Sequence, residues 1–310
     1  MAELISHDQL FKVLITTFLH EFLQLFVPEL ASEIDPESIE FLDKETFSDE
    51  VSGDVMEADI VAKCKFRGAD KYFLIHQENQ GKSVFEFPRR MFKYFARFFE
   101  KTGLDIYPIA LFTFDAPLRQ EPDSLKISFP GLDVMTFNFR VIQLNRLNWR
   151  DFMQKPNPVA AALISKMKIE PKDRPFVKLE CLRLLATLKL NPAKSRLIFS
   201  FVHAYLKLTA EENVILTKEI ETLEPEVKEE MIELTNEWIE EGERLGIEKG
   251  ERLGIEKGTH SLLLMQGGKR FGTPSVEIVN FINSTHDRKK LEHWCIRIFD
   301  VKTWQELLEN

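Results

Sequence analysis

Residues 58–80 read ADIVAKCKFRGADKYFLIHQENQ: two largely apolar runs, 58–66 and 71–80, flank Arg67-Gly68-Ala69-Asp70. Short apolar runs on either side of Gly and Asp predict two strands of a hairpin. With Gly68 and Ala69 as a two-residue turn, residue i pairs with 137 − i, so Asp59 opposes Glu78 and Glu57 opposes Gln80. Directly opposed residues share one face of a sheet, with Cβ atoms about 4.5–5.5 Å apart. One face then gathers Glu57, Asp59, Glu78 and Gln80 at the open end of the hairpin, with Val61 and His76 next on it. A loop one residue longer would break this register.

Opposed carboxylates repel and sit poorly in strands. Two readings are open: solvated side chains where a hairpin leaves its sheet, or a site for a divalent cation that removes the repulsion. Hard oxygen ligands suit Mg2+ or Mn2+, which keep several waters and bridge to phosphate oxygens. Such an ion polarises a phosphodiester and activates a bound water, so hydrolysis needs no Ser, Cys or His nucleophile. His76, on the same face, reads as a packed or hydrogen-bonded strand residue.

Outward from the hairpin, the pattern is mixed. Leu10, Phe11, Leu14, Phe18, Phe22, Leu25 and Phe26 recur at helical spacing and predict a helix over 8–27. Residues 84–101 predict a second helix closed by Gly103, and 107–115 and 134–144 predict further strands. The order is that of an α/β fold whose core ends near residue 150.

Beyond that point the periodicity is helical, over 176–190 and 196–208, with Thr209 to Glu212 in the form of a capping box. ERLGIEKG then occurs twice, at 243–250 and 251–258, placing Gly at every fourth position from Gly242 to Gly258. Each Gly costs a helix about 1 kcal/mol relative to Ala, so a weak, frayed helical linker is expected. The expected division is a core at 1–150, a helical extension at 151–240, the repeat linker at 241–258 and a small helical region at 259–310.

The 310 residues are 44% hydrophobic and carry 41 basic against 50 acidic side chains, a formal charge of −9. That argues against a protein basic all over, although nucleic-acid binding needs only a local patch. Arg89, Lys93, Arg97 and Lys101 recur every four residues with Arg90 beside them, a stripe suited to a DNA backbone. Phe92, Phe95 and Phe99 are expected to face the core. No base-reading motif accompanies the stripe, so weak sequence specificity is expected. A solvated helix face, with Glu86 and Glu100 nearby, is the rival account.

Cys64, Cys181 and Cys295 are too few and too scattered for a disulfide framework or a zinc site, which fits a reducing setting. Residues 9–27 come nearest to a membrane span, but His20, Glu21, Gln9, Lys12 and Gln24 interrupt them. The start, MAELISHDQ, lacks the basic stretch of a secretory signal, and a cytoplasmic location is expected.

Asp59, the run YFLIHQENQ, the segment RRMFKYFARFFEK and the run YPIALFTFD together resemble the recombination-promoting nuclease family, whose members are also labelled transposases. His7-Asp8-Gln-Leu-Phe11-Lys12 resembles that family's N-terminal helix signature. The resemblance covers roughly residues 7–145 and implies a PD-(D/E)XK restriction-endonuclease-like core, a mixed sheet flanked by helices. It further implies a Mg2+-dependent endonuclease acting on DNA, with a link to recombination or mobile elements. By the same resemblance Asp59 and Glu78 hold the metal and Glu21 is a third ligand, although a polar interruption at a helix edge explains Glu21 as well.

The third position of the motif is commonly Lys and here is Gln80, which can hold a water but supplies no positive charge. Lys82 stands two residues on and reads as a solvated loop lysine. Two other classes stay open: a catalytically degenerate relative that binds DNA or protein, and a helical assembly protein whose function lies in 176–310. A homodimer is compatible with each.

Overall fold

The computed structural model describes residues 7–42 and 59–308, with the side chains of 233–253 and Arg288 outside the description. Glu57 falls in the undescribed segment 43–58, so its pairing with Gln80 lies outside the described residues. Two compact units divide the chain, Met1–Ile232 and Glu233–Asn310.

The first unit is built on a mixed five-stranded sheet flanked by helices. Its strands are β1 (Glu40–Phe41), β2 (Ile60–Lys65), β3 (Tyr72–Gln80), β4 (Asp105–Phe112) and β7 (Arg140–Gln143), in the order β1-β2-β3-β4-β7. β1, β2 and β3 run antiparallel, whereas β3–β4 and β4–β7 are parallel. A parallel neighbour requires a crossover, and α4 (Phe87–Thr102) supplies it between β3 and β4. Gly103 ends that helix in the left-handed region at φ 65°, where its amide reaches the Phe99 carbonyl.

β3 is the central strand, buried without a break from Phe73 to Asn79. A strand covered on both faces must bury even its polar residues, which is why His76, Gln77, Glu78 and Asn79 are all nearly inaccessible. The face bearing Leu74, His76 and Glu78 packs on α4 through Tyr94 and Phe98, with Val61 of β2 in the same cluster. α1 (His7–Thr17) also packs on β3.

Four sequence expectations need correction. The helix expected over 8–27 is α1 followed by α2 (Leu19–Phe26), broken at Phe18, whose φ of −132° and ψ of 40° leave the helical region; α3 (Pro28–Glu33) then starts at a proline. The Gly68-Ala69 turn is wider than two residues: Phe66 N–H donates to Lys71 O at 3.0 Å and Ala69 N–H to Phe66 O at 3.2 Å. The loop grew by one residue on each side, so the register survived.

The strand expected over 134–144 is two strands in different sheets. β6 (Leu132–Asn138) pairs with β5 (Ser124–Phe129), and the chain leaves at Phe139 to form β7. Finally, the core face of α4 is Phe87, Met91, Tyr94 and Phe98. Phe92 and Phe95 pack on the same core as expected, half-buried against Phe137 of β6 at 5.5 and 5.0 Å between ring centroids, whereas Phe99 is half exposed.

Helices α5 (Pro158–Leu163), α6 (Arg174–Thr187), α7 (Pro192–Tyr205) and α8 (Ala210–Glu221) complete the first unit. They pack onto the N-terminal helices: Phe11 meets Phe201 and Tyr205 at 4.8 and 5.5 Å. Thr209 and Glu212 form the expected reciprocal capping box. α9 (Pro225–Phe271) runs as one helix through both ERLGIEKG copies, because Glu, Arg, Leu and Lys between the glycines are strong helix formers.

In the second unit, α10 (Val276–Asn283), α11 (Arg288–Arg297) and α12 (Trp304–Leu308) close a small core around Leu263, Ile282, Trp294 and Trp304. Among the described residues no helix is long and apolar enough to cross a membrane.

Candidate active site

Ile60 pairs with Gln77 and Lys65 with Tyr72, so every rung of the β2–β3 ladder sums to 137. Extended by one residue, that register sets Asp59 beside Glu78. Backbone donors hold the two carboxylates together. Asp59 N–H donates to Glu78 Oε1 at 3.0 Å, and Asn79 N–H donates to Asp59 Oδ2 at 2.7 Å. Charge-assisted bonds of this kind offset the repulsion that two opposed carboxylates carry in a strand pair.

Glu78 is buried and also accepts a bond from His76 Nε2 at 2.9 Å. The His76 ring is fully buried between Tyr94 and Phe98, at 5.0 and 4.9 Å between centroids. It is thus a packed, hydrogen-bonded strand residue that orients Glu78. Its Nδ1 is buried with no hydrogen-bond partner.

From the opposite layer, α4 delivers Arg90. Its Nη2 donates to Gln80 Oε1 at 2.5 Å and lies 3.6 Å from Glu78 Oε2. One turn further, Tyr94 completes the cluster. Burial and then the Glu78 carboxylate push the Tyr94 phenol up to about 12; Asp59 adds to the shift, while Arg90 and Arg97 oppose it. The cluster is therefore Asp59, Glu78 and Gln80 from the hairpin, with Arg90 and Tyr94 facing them from the helix. Tyr94 was missed in the sequence, although its i,i+4 spacing from Arg90 on one helix face was the available signal.

The remaining expected residues lie elsewhere. Glu21 is half-buried in the first turn of α2, where its carbonyl accepts Asn157 Nδ2 at 2.8 Å. Among the described residues no three His, Cys, Asp or Glu side chains converge on a common metal position, so Glu21 is not gathered with Asp59 and Glu78. Lys82 is exposed in the loop after β3. The basic stripe divides: Arg89 and Lys93 are exposed, Arg89 lying 3.4 Å from Glu86, while Arg90 and Arg97 are half-buried, Arg90 against Gln80 and Glu78.

A cleft of about 770 Å³ opens beside Gln80 and Gly81. It lies where parallel strands β3 and β4 end, the place where open α/β sheets bind ligands. Asn79, His7, Thr113, Lys166 and Tyr205 line it. Lys166 meets Asp115 at 2.6 Å on its wall. Comparison of the chain with protein-family models, curated proteins and solved structures finds no match.

Proposed function

We propose that the chain is a metal-dependent endodeoxyribonuclease with a PD-(D/E)XK-type core, in which Asp59 and Glu78 hold Mg2+ or Mn2+. The observation that carries this reading is the meeting of Asp59 and Glu78 on one sheet face, each held by a backbone N–H of the other's strand segment. Two hard carboxylates from facing strands fit a divalent ion that keeps most of its waters and takes further oxygens from a phosphate. Bound there, such an ion supplies Lewis acidity and an activated water.

The chain's own residues supply the rest. Arg90 fixes Gln80 Oε1, which leaves the Gln80 amide N–H groups to orient a water. The guanidinium also brings to the cluster the positive charge that Gln80 lacks, where it stabilises charge developing on a phosphoryl oxygen. His76 holds Glu78 in place. Arg89 and Lys93, exposed on α4, offer contacts to the DNA backbone without reading bases.

The test is nicking of supercoiled plasmid in Mg2+, Mn2+ or EDTA by the wild type, Asp59→Ala and Glu78→Ala. Metal-dependent nicking lost in both folded variants supports the nuclease. DNA binding without cleavage in any metal supports a second reading, a nuclease-fold binding module. The 3.6 Å approach of Arg90 to Glu78 favours that second reading, because an internal cation can serve as the carboxylate's permanent counter-ion.

A further inference from the structure

His7 opens α1, and its ring joins three elements that are remote in sequence. Nε2 lies 2.9 Å from Thr113 Oγ1, just past the end of β4. Nδ1 lies 2.8 Å from the Tyr205 hydroxyl, at the end of α7. Thr113 in turn grips the last residue of β3: its amide donates to Gln80 O at 3.0 Å, and its hydroxyl points to the same carbonyl at 3.4 Å.

Proton directions follow from these contacts. With the Thr113 hydroxyl donating to Gln80 O, Oγ1 accepts from His7 Nε2–H. Nδ1 is then bare and accepts from the Tyr205 hydroxyl. The groups around His7 keep this arrangement neutral. Burial, and then the Lys166 ammonium, lower the His7 pKa, while Asp8 on its own helix and Asp115 after β4 pull the other way. Burial raises the Tyr205 phenol, so it keeps its proton. Lys82, from the loop after β3, lines the same cleft.

We infer that His7, as the neutral Nε2–H tautomer, is a positioning residue that locks the C-terminal end of β3 where Gln80 is presented, with Tyr205 as the donor that selects the tautomer. This rests on the nuclease reading for its catalytic consequence, but the tautomer does not. It makes α7 part of the working site, since Tyr205 acts on Gln80 through His7 and Thr113. Protonation of His7 places a hydrogen on Nδ1 and removes the acceptor for Tyr205. Because the folded-state pKa is lowered, the relay is intact above the ordinary histidine range and is lost as pH falls below it through the folded value.

The experiment is long-range ¹H–¹⁵N correlation of the imidazoles in the full chain, with pH–rate profiles for Mg2+-dependent cleavage. The wild type is expected to show His7 as the Nε2–H tautomer at neutral pH. Tyr205→Phe removes one hydrogen bond to the neutral ring, so the His7 titration and the acid limb of kcat move up together by about one pH unit. His7→Gln keeps an amide N–H for Thr113 and is expected to retain cleavage with a flattened acid limb, whereas His7→Ala lowers kcat across the range with KM unchanged. A Nδ1–H tautomer, or a Tyr205→Phe profile superimposable on the wild type, overturns the inference. A wild type that never cleaves overturns the nuclease reading alone, and the tautomer then decides the relay.

Discussion

Arg90 Nη2 stands 2.5 Å from Gln80 Oε1 and 3.6 Å from Glu78 Oε2, so a helix-borne guanidinium reaches the strand position where the nuclease resemblance implies a lysine. A cation at this point balances a buried carboxylate, and under the proposed nuclease function it would also meet a phosphoryl oxygen. Arg→Ala and Arg→Lys separate the two roles, because Lys restores charge without the planar fork.

Arg90→Ala is expected to lower single-turnover cleavage about 10²-fold, the scale typical of removing one charge-stabilising donor. Arg90→Lys recovers part of that loss. Unchanged cleavage in Arg90→Ala would remove Arg90 from the mechanism.

Asp59 and Glu78 carry like charge, and the backbone bonds that hold them offset only part of the repulsion that a bound cation would remove. Asp59→Asn keeps an oxygen to accept the Asn79 N–H but removes one charge. In EDTA, thermal or urea unfolding is expected to show this variant more stable by about 0.2–1 kcal/mol, the scale of a cross-strand pair. In Mg2+ the order reverses, since only the wild type gains stability from ligation to the native state. A wild type whose Tm ignores Mg2+ and Mn2+ would leave the pair as a purely structural contact.

This pair was legible in the sequence for a specific reason. The ladder register depends only on the centre of the hairpin, and widening the turn symmetrically from Gly68-Ala69 to Arg67–Asp70 leaves that centre in place. The residues facing the pair were harder to find. On α4 the apolar side chains surround most of the helix, so periodicity left the core arc ambiguous between Phe92-Phe95-Phe99 and Met91-Tyr94-Phe98. Choosing the first arc placed Arg90 beside the stripe as a DNA contact and left Tyr94 out of the site. The β5–β6 hairpin did carry a signal, with Leu125, Ile127 and Phe129 alternating up to Pro130-Gly131, and Gly131 adopts φ 81° at its turn. What no local pattern shows is that the chain changes sheets at Phe139, or that His7 meets Tyr205 across 198 residues.

The division of the basic stripe has a measurable consequence. Arg89 and Lys93 are exposed, so each is expected to act on DNA as an independent phosphate contact. Replacing either by Ala should reduce the slope of log K against log[salt] by about 0.9, with the cleavage rate of bound DNA unchanged. Arg97, half-buried, should alter the slope less than either. Equal slopes in all three variants and the wild type would place the DNA on another surface.

The second unit offers a test of packing that is separate from the site. Gly267 lies in α9 against the Trp304 ring, and a Cβ there would come within 2.2 Å of Cη2. Trp304 cannot readily retreat: Nε1 donates to Gly272 O at 2.9 Å, and Phe271 meets the ring edge-on at 5.4 Å. Gly267→Ala should therefore destabilise the 233–310 unit by about 1–3 kcal/mol, the usual cost of overpacking. Its neighbour Gly268 has nothing within 4 Å of a built Cβ, so Gly268→Ala should stabilise the helix by up to about 1 kcal/mol. Urea unfolding followed by hydrogen exchange in this unit separates the two. A Gly267→Ala variant as stable as Gly268→Ala would show that α12 does not pack on α9 through Trp304.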